Sequence, residues 1–335
     1  MNNPLRLRLD GDALVANWRW LNAQSGAAAC GAAVKADGYG LGAREVVARL
    51  ARAGCRDFFV ATWDEAVAPG AMPEGCALSV LHGVRAEDMV VAMASTARPV
   101  LNTAVQVARW RETGRPCDVM IDTGMNRLGL SPSDDLSGLK VDTLISHLAC
   151  ADEDSPMNSA QRTAFAALTI PAKRRSLANS AGICLGQDYA FDLTRPGLAL
   201  YGGIPRHEAV GHIRQVAHLE AQIVQRRTVR AGESVGYGAT FVAANDTEVA
   251  VLNIGYADGY RRAFAGCGTA GSGRFAVIGR VSMDLLAIDA SSEPALVEGD
   301  WVSVDYNVPA ASAATGVSQY ELLTGLGARF ERVWT

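Results

Sequence analysis

Hydrophobic and polar residues alternate along the chain in two different ways, and the change falls near residue 217. From about residue 28 to 201, short apolar runs alternate with stretches of helical periodicity, such as Ala43–Ala53. The segment Thr62-Trp-Asp-Glu65 predicts a capping box at the start of one such helix. Repeated strand-helix units are typical of a parallel sheet. The apolar runs are Cys30–Ala36, Asp57–Ala61, Ala77–Leu81, Arg98–Leu101, Asp118–Asp122, Asp142–His147, Arg175–Asn179 and Asp192–Arg195. They number eight, as a closed (β/α)8 TIM barrel requires.

Beyond residue 217, strand-like runs such as VAVLNIGYADG and RFAVIGRVSMD are separated by glycine-rich turns. Helical periodicity is weak there until Tyr320–Leu326. We therefore predict an α/β protein with an N-terminal (β/α)8 barrel at residues 1–217 and a mostly β C-terminal domain at residues 218–335. The first run, LRLRLD, alternates with a period of two and fits as a strand in either domain.

Composition narrows the class of protein. The 335 residues are 49% hydrophobic and 20% charged, as in soluble globular proteins, and no apolar stretch is long enough to span a membrane. The N-terminus has no secretory signal, so we expect a cytoplasmic protein. The net charge of -4 is scattered, which argues against nucleic-acid binding. The seven cysteines are widely spaced without a C-x-x-C pair, so we expect buried, reduced thiols and no metal site.

Reactive side chains recur at the carboxyl ends of the predicted barrel strands. They are Lys35, Arg127, His147, Asn179, Ser180 and Arg195. Active sites of barrel enzymes form at this face, so we predict one site there. A lysine packed at the barrel rim loses water, which favours the neutral amine that forms Schiff bases. Taken singly, Lys35 also fits a solvent-directed side chain, and His147 also fits a satisfied core histidine.

Nine segments, occurring in one order, resemble alanine racemases. They are AVKADGYGLG, IDTGMNRLG, SHLACADE, LANSAG, RPGLALYGG, VGYGATF, IGYADGYRR, GRVSMD and YELL-x4-ARF, and they extend from about residue 28 to the C-terminus. A match to one segment alone can arise by chance, but nine matches in the family's order are highly specific. The resemblance implies a fold-type III enzyme that uses pyridoxal 5'-phosphate and works as a head-to-tail homodimer with shared active sites.

The resemblance also implies catalytic roles. Lys35 resembles the lysine that holds the cofactor covalently and moves the Cα proton on one face of the substrate. Tyr256 resembles the tyrosine that serves the opposite face from the partner subunit. Because tyrosine ordinarily ionises only near pH ~10, His147 and Arg195 resemble the network that assists it. Arg195 also resembles the partner of the pyridine nitrogen, which a guanidinium, being only a donor, leaves largely unprotonated.

Further positions match those that bind the cofactor phosphate and the substrate. The phosphate set is Tyr39, Ser180, Gly197, Leu198 and Tyr320, with Asn179 beside it. Arg127 resembles the arginine near the phenolic oxygen of the cofactor and the carboxylate of the substrate. Met283 resembles the partner-subunit residue whose backbone binds that carboxylate.

Three residues depart from the family pattern. Met120 stands where many relatives have a carbamylated lysine that braces the arginine corresponding to Arg127, so the orientation of Arg127 lacks that support. Ser176 replaces a histidine that some members place behind Arg195. Gly38 stands where a small side chain such as alanine is usual, which we expect to loosen the loop that carries Tyr39.

The sequence thus predicts racemisation of L-alanine to D-alanine, a precursor of peptidoglycan, and it leaves open a catabolic role. One alternative is a serine or broad-specificity racemase with the same site and a different pocket. Another is a non-catalytic pyridoxal-phosphate-binding protein for cofactor homeostasis. Such proteins resemble a single barrel and lack the region that carries Tyr256 and Met283. A fold-type III decarboxylase would be expected to use a cysteine proton donor, which the sequence does not support.

Overall fold

The computed structural model describes residues 3–335 and divides them into two compact units. Residues 13–214 form one unit. The other contains residues 215–335 together with the described residues up to Asp12. This division lies close to the predicted one at residues 217 and 218, but it places the first strand of the chain in the second unit.

The first unit contains a curved parallel sheet. The strand β1 (Leu5–Leu9) and the helix α1 (Gly11–Gln24) come before it in the chain. The strands of this unit are β2 (Ala29–Cys30), β3 (Ala32–Ala33), β4 (Asp57–Val60), β5 (Ala77–Val80), β6 (Arg98–Leu101), β7 (Pro116–Met120), β8 (Lys140–Ile145), β9 (Arg174–Ser176) and β10 (Leu193–Thr194). Strands β3 to β9 pair in chain order as neighbours of one seven-stranded sheet.

Strand β10 joins the two ends of this sheet. It pairs in parallel with β2, which is separated from β3 by one residue. On its other side, the N–H of Arg195 donates to the carbonyl of Ala178 at 2.8 Å, just beyond β9. The N–H of Ala33 donates to the carbonyl of Pro196 at 2.8 Å. The eight predicted runs therefore form a closed (β/α)8 barrel, in which β2 and β3 together supply the first strand.

Helices lie between the barrel strands as the sequence pattern predicted. They are α2 (Lys35–Tyr39), which is a short turn with left-handed angles inside it, and the helices α3 (Ala43–Ala53), α4 (Trp63–Val67), α5 (Met89–Ala94), α6 (Ala104–Arg111), α7 (Pro156–Ala166) and α8 (Ser180–Cys184). The predicted helix over residues 43–53 is confirmed, and its apolar residues are buried. The hydroxyl of Thr62 caps α4 by accepting the N–H of Glu65 at 3.3 Å.

A network of charged side chains fills the barrel near the amino ends of the strands. Asp118 is fully buried and accepts the hydroxyl of Ser79 at 2.6 Å, the Arg98 guanidinium at 3.2 Å and the N–H of Thr143 at 3.0 Å. Arg174 binds Asp57 through two hydrogen bonds of 2.8 and 3.0 Å. These opposite charges satisfy each other, as buried charges must.

The second unit is mostly β, as predicted. Its remaining strands are β11 (Ala217–Val229), β12 (Ser234–Val235), β13 (Phe241–Val242), β14 (Thr247–Leu252), β15 (Thr269–Ala270), β16 (Phe275–Ile278), β17 (Leu286–Asp289), β18 (Trp301–Val304) and β19 (Glu331–Trp334). The sheet order is β14-β17-β16-β15-β18-β11-β1-β19, and β14 also pairs with β11. This extra pairing closes the first six strands of that order into a ring.

Strand β1 belongs to this sheet, which decides between the two placements that the alternation of LRLRL allowed. It runs antiparallel to β11 and parallel to β19. Leu5, Leu7 and Leu9 are buried, as the period of two requires. The unit also contains α9 (Val308–Thr315) and α10 (Gln319–Thr324). The sequence pattern predicted α10 but missed α9, because VPAASAAT consists mainly of small residues without an apolar stripe.

The cysteines only partly match the expectation of buried thiols. All seven are free: Cys30, Cys55 and Cys117 are buried, Cys76, Cys150 and Cys184 are half-buried, and Cys267 is exposed. The prediction of burial was therefore wrong for Cys267, which follows a short helical turn in the second unit. Within residues 3–335, no helix is both long enough and apolar enough to cross a bilayer.

Candidate active site

Lys35 begins the turn that follows the first barrel strand. The backbone turns in the left-handed sense over the next four residues, with φ of 52° at Ala36, 51° at Asp37, 63° at Gly38 and 56° at Tyr39. Left-handed turns cost about 1–2 kcal/mol for each non-glycine residue, and strain of this kind concentrates at functional sites. The strand therefore ends abruptly at the amine of Lys35.

Hydrogen bonds and packing hold this turn in place. The carboxylate of Glu65 accepts the N–H of Ala36 at 2.8 Å and the N–H of Ala61 at 2.7 Å. The second bond differs from the predicted capping box, in which Glu65 would accept the N–H of Thr62. The carboxylate of Asp37 accepts the N–H of Ala43 at 2.8 Å. Glu65 thus links the residue after Lys35 to the next barrel strand.

Gly38 is packed, contrary to the looseness that we expected from the missing side chain. A Cβ atom at this position would lie 3.1 Å from both the N and the Cα of Ala43, at the start of α3. The ring of Tyr39 is buried and stacks on Tyr201 with centroids 4.6 Å apart. The hydroxyl of Tyr201 donates to the carbonyl of Ala33 at 2.8 Å. Tyr201 therefore supports both Tyr39 and the strand before Lys35.

Arg127 lies on a loop that leaves the barrel after β7 and returns to it. The carboxylate of Asp122 accepts the N–H groups of Gly124 at 2.8 Å and Met125 at 2.9 Å, which fixes the start of the loop. The N–H of Leu130 donates to the carbonyl of Met120 at 2.9 Å, which closes it. The guanidinium of Arg127 has no hydrogen-bond or salt-bridge partner among the described residues.

His147 follows β8 and is partly buried. Gln161, on α7, positions its backbone by donating to the carbonyl of His147 at 3.0 Å and accepting the N–H of Ala149 at 2.9 Å. Burial, reinforced by the positive charges of Arg195, Arg127 and Lys35, lowers the pKa of His147 from 6.5 to about 3. The imidazole is therefore neutral at neutral pH, and neither ring nitrogen is hydrogen-bonded within residues 3–335.

Arg195 follows β10 and is buried. One terminal nitrogen of its guanidinium donates to the hydroxyl of Ser176, and the other donates to the carbonyl of Ser146 at 2.8 Å and to that of Leu177 at 3.4 Å. Burial lowers the pKa of Arg195 to about 10, so the group stays cationic at neutral pH. Its Nε has no hydrogen-bond acceptor in the described part of the chain.

Ser180 and Gly197 form a cradle at the same face. The N–H groups of Gly197 and Ala199 donate to the Oγ of Ser180 at 2.9 and 3.2 Å. A Cβ atom on Gly197 would lie 2.2 Å from the hydroxyl oxygen of Tyr39, so glycine is required for this approach. Asn179 caps α8 by accepting the N–H of Gly182 at 2.8 Å. Leu198, which the sequence also assigned to the phosphate site, lies between these two donors.

The electrostatics of this face favour an anionic ligand. Burial lowers the pKa of Lys35, and the charge of Arg127 lowers it further, while the carboxylate of Glu65 opposes them and Arg195 adds a smaller decrease. No described residue forms a hydrogen bond or an ion pair with the amine of Lys35. A free amine, a free guanidinium and the hydroxyl of Ser180 at one barrel face form a candidate site for a molecule that carries a phosphate or a carboxylate.

Three predicted residues lie in the second unit. Tyr256 is half-buried in a short turn, with the guanidinium carbon of Arg262 4.9 Å from the centroid of its ring. The N–H of Tyr256 donates to the carbonyl of Ser282 at 3.0 Å. Met283 follows Ser282 in the chain and is 53% exposed. Tyr320 lies at the start of α10 and is 46% exposed. Tyr256 and Met283 are thus neighbours within this unit.

Met120 and Ser176, which also depart from the family pattern, both make defined contacts in the barrel. Met120 is buried in an apolar cluster with four other residues, namely Phe59, Val100, Ile145 and Leu193. The family's carbamylated lysine is therefore replaced by a hydrophobic contact, and the cluster contains no group that orients Arg127. Ser176 accepts a hydrogen bond from Arg195 and donates one to the carbonyl of Leu193. It thereby satisfies one end of the guanidinium.

Sequence reasoning missed Glu65, Tyr201 and Gln161 as supports of the site. Each acts on a backbone group far away in the chain, so neither periodicity nor a short motif reveals the contact. Tyr201 was visible only as part of the segment RPGLALYGG. For Glu65, the predicted capping box indicated a structural role at α4 but gave no sign of its bond to Ala36.

A (β/α)8 barrel with a lysine and an anion cradle at its carboxyl face, followed by a β unit, defines a two-domain barrel enzyme with a fold-type III arrangement. Family models for the alanine racemase N-terminal domain and the alanine racemase C-terminal domain match residues 9–205 and 216–334. The chain is 40% identical to the alanine racemase of Acidiphilium cryptum over 99% of both chains. It therefore belongs to the alanine racemase family.

Other similar proteins agree with this assignment. The chain is 40% identical to the biosynthetic alanine racemase of Agrobacterium fabrum over 98% of this chain and 93% of that one. The crystal structure of alanine racemase from Bartonella henselae with covalently bound pyridoxal phosphate superposes with a TM-score of 0.91 at 32% identity, covering all of both chains. The biosynthetic enzyme of Pseudomonas aeruginosa gives a TM-score of 0.89 at 34% identity, again over both whole chains.

Proposed function

We propose that this protein interconverts L-alanine and D-alanine with pyridoxal 5'-phosphate as its cofactor. The observation that carries the proposal is the amine of Lys35, held without a partner at the barrel face that also contains the cradle of Ser180 and Gly197. Bound pyridoxal phosphate supplies the electron sink that makes the Cα proton of an amino acid removable. The protein supplies binding, orientation and two bases.

The donor set fits this cofactor. The Oγ of Ser180 accepts the N–H groups of Gly197 and Ala199, so its own hydrogen is left to donate to a phosphate, and the hydroxyl of Tyr39 lies beside Gly197. Gly197 leaves no room for a side chain there, because a Cβ atom would lie 2.2 Å from the hydroxyl oxygen of Tyr39. We assign Asn179, Leu198 and Tyr320 to the same phosphate site from the family resemblance.

Arg195 suits the pyridine nitrogen. Nη2 of its guanidinium donates to two carbonyls and Nη1 donates to Ser176, so Nε and the second hydrogen of Nη1 are left for a ligand. Arginine gives up its proton only at high pH, so it leaves the pyridine nitrogen largely unprotonated. A guanidinium at that nitrogen would weaken the electron sink that the bound cofactor supplies, and would so favour return of the proton over competing reactions.

Inversion at Cα requires one base on each face of the substrate. Lys35 holds the proton on one face, and the lowered pKa of this lysine favours proton transfer near neutral pH. We assign the other face to Tyr256, beside which Arg262 places a positive charge. His147 is neutral, so it accepts or donates a hydrogen bond without adding charge.

The substrate carboxylate suits Arg127 and the backbone of Met283. The guanidinium of Arg127 is free to bind an anion through two nitrogens. The N–H of Met283 makes no hydrogen bond within the described residues, although the carbonyl of the same residue accepts the N–H of Ala257 at 3.0 Å. Both groups are therefore available to a carboxylate.

We propose a homodimer in which Tyr256 and Met283 complete the site of the partner subunit. Exposed large apolar residues of the second unit support a covered surface. Tyr237, Val242 and Leu285 in the second unit are 71%, 56% and 40% exposed, respectively. Dilution to concentrations at which sedimentation shows monomers should abolish activity, and full activity of the monomer would exclude shared sites.

The cytoplasm is the compartment that we propose, because all seven thiols are free. D-alanine made there would supply peptidoglycan synthesis. Growth of a strain that lacks this enzyme, with and without added D-alanine, tests the biosynthetic role. Unimpaired growth without D-alanine would instead favour a catabolic role.

The direct test is to incubate the purified protein and pyridoxal phosphate in deuterated water with L-alanine, and separately with L-serine. Optical rotation and deuterium at Cα are followed together. We expect alanine to lose optical rotation and gain deuterium well ahead of serine. An unchanged substrate in the presence of bound cofactor would refute the proposal and favour a non-catalytic cofactor-binding protein. With Tyr256→Phe, racemisation should fall sharply in both directions.

A further inference from the structure

Two loops of the second unit meet where Tyr256 and Met283 lie. The N–H of Tyr256 donates to the carbonyl of Ser282 at 3.0 Å, and the N–H of Ala257 donates to the carbonyl of Met283 at 3.0 Å. Each loop continues into an aspartate: Asp258 follows Ala257, and Asp284 follows Met283. The proposed base and the proposed carboxylate-binding residue are therefore held by one small structure.

Arg329 bridges the two aspartates. Its Nε and Nη2 donate to the two carboxylate oxygens of Asp258 at 2.7 and 2.8 Å, and its Nη1 donates to Asp284 at 2.6 Å. Asp258 is only 1% exposed, and its carboxylate also accepts the N–H of Gly255 at 2.9 Å. A planar guanidinium meets all these oxygens at once, whereas a lysine does not.

We infer that Arg329 is a positioning residue that fixes Tyr256 and Met283 relative to each other. Exposed ion pairs usually contribute little, but this one differs because Asp258 is buried and bound through two nitrogens. Without Arg329, Asp258 keeps a buried charge with a single backbone donor, so the turn of Tyr256 shifts to reach water. The role rests on the proposed function, since Tyr256 and Met283 matter only if the chain is a racemase.

The expected signature is specific to one face of the substrate. If the hydroxyl of Tyr256 is displaced, Lys35 still removes the Cα proton that faces it and exchanges that proton with solvent. A C–H bond breaks, and a C–D bond forms on the same face in deuterated water. One enantiomer of alanine then gains deuterium without inversion, and inversion slows in both directions. Displacement by about 1 Å is enough to slow a catalytic step roughly 100-fold.

The experiment compares Arg329→Ala and Arg329→Lys with the unchanged holoenzyme. For each enantiomer of alanine, the rate of deuterium uptake is divided by the rate of inversion. We expect inversion to fall by about 10- to 100-fold in Arg329→Ala, and the ratio to rise by a similar factor for one enantiomer only. The inversion rate of Arg329→Lys should lie between that of Arg329→Ala and that of the unchanged holoenzyme. Arg230→Ala is the matched control, because Arg230 forms an exposed pair with Asp246 in the same unit.

Chemical rescue separates positioning from a loss of folding. A depression of about 360 Å³ lies against Arg329, Asp258 and Asp284, so removal of the arginine side chain leaves room for a free guanidinium ion. Millimolar guanidinium should restore inversion to Arg329→Ala, whereas equal sodium chloride and equal urea should not. In Arg329→Lys the lysine side chain occupies part of this space, so guanidinium should restore the inversion rate less.

The outcomes are distinguishable. Failure of the unchanged protein to racemise alanine would overturn the proposed function itself. An active unchanged protein with a folded Arg329→Ala variant of unaltered inversion rate would overturn the positioning role alone. Equal slowing of uptake and inversion for both enantiomers, without rescue by guanidinium, would show that Arg329 only stabilises the fold.

Discussion

The protonation state of His147 leads to a quantitative prediction for stability. Burial and three neighbouring positive charges lower the pKa of this histidine to about 3 in the folded protein, whereas an unfolded chain restores it to about 6.5. The unfolded state therefore binds one more proton than the folded state between these two values, so stability is lost as the pH falls through this window. Above about pH 7 both states are neutral, and the full stability is present.

The size of the effect follows from the unfolded pKa alone. At pH 5 the unfolded histidine lies about 1.5 pH units below its pKa, and each unit corresponds to about 1.4 kcal/mol, so His147 destabilises the fold by about 2 kcal/mol there. The substitution His147→Asn removes this term. The difference in the free energy of unfolding between the unchanged protein and the variant should therefore change by about 2 kcal/mol from pH 8 to pH 5.

Urea denaturation of the cofactor-free proteins at both pH values measures this difference. His207→Asn is the control for the substitution itself, because the side chain of His207 is 82% exposed. If His147→Asn and the unchanged protein lost the same stability between pH 8 and pH 5, the imidazole would be charged in the fold. The neutral role proposed for it would then be wrong.

Three further substitutions test the first unit. Lys35→Ala should abolish the visible absorbance of the bound cofactor and racemisation together, and retained turnover without added amines would contradict its assignment. Glu65→Gln should lower the free energy of unfolding by about 1–2 kcal/mol in urea, because an amide accepts only one of the two N–H groups at Ala36 and Ala61. Met120→Lys should lower it by about 3–5 kcal/mol by placing an ammonium in an apolar cluster. Bicarbonate should recover part of the stability lost in Met120→Lys by carbamylating the amine. An unaltered urea midpoint in either Glu65→Gln or Met120→Lys would refute the stability argument for that variant.

The barrel could be predicted because its strands are short apolar runs separated by polar helices. The run at residues 98–101 coincides with β6, and the helix at residues 43–53 coincides with α3. Reactive residues at strand ends were visible for the same reason, since the end of each run is marked in the sequence. Helix α9 was missed because VPAASAAT has no apolar face, although its capping residue Asn307 was a usable signal.

The detailed geometry of the site could not be predicted from the sequence. The left-handed turn after Lys35 includes Ala36, which has no intrinsic preference for positive φ, so its sequence alone does not predict the turn. The bridge of Arg329 joins residues 71 and 45 positions away along the chain. Such contacts depend on the packing of the whole unit.

Strand β1 has a consequence for how the chain is made. Its partners are β11, which begins at Ala217, and β19, which begins at Glu331. During synthesis the barrel residues emerge before either partner strand. The leucines of LRLRL therefore stay exposed to solvent until β11 and β19 have been made. Strand β1 is thus synthesised well before both of its partners, and its pairing is completed only after they have emerged.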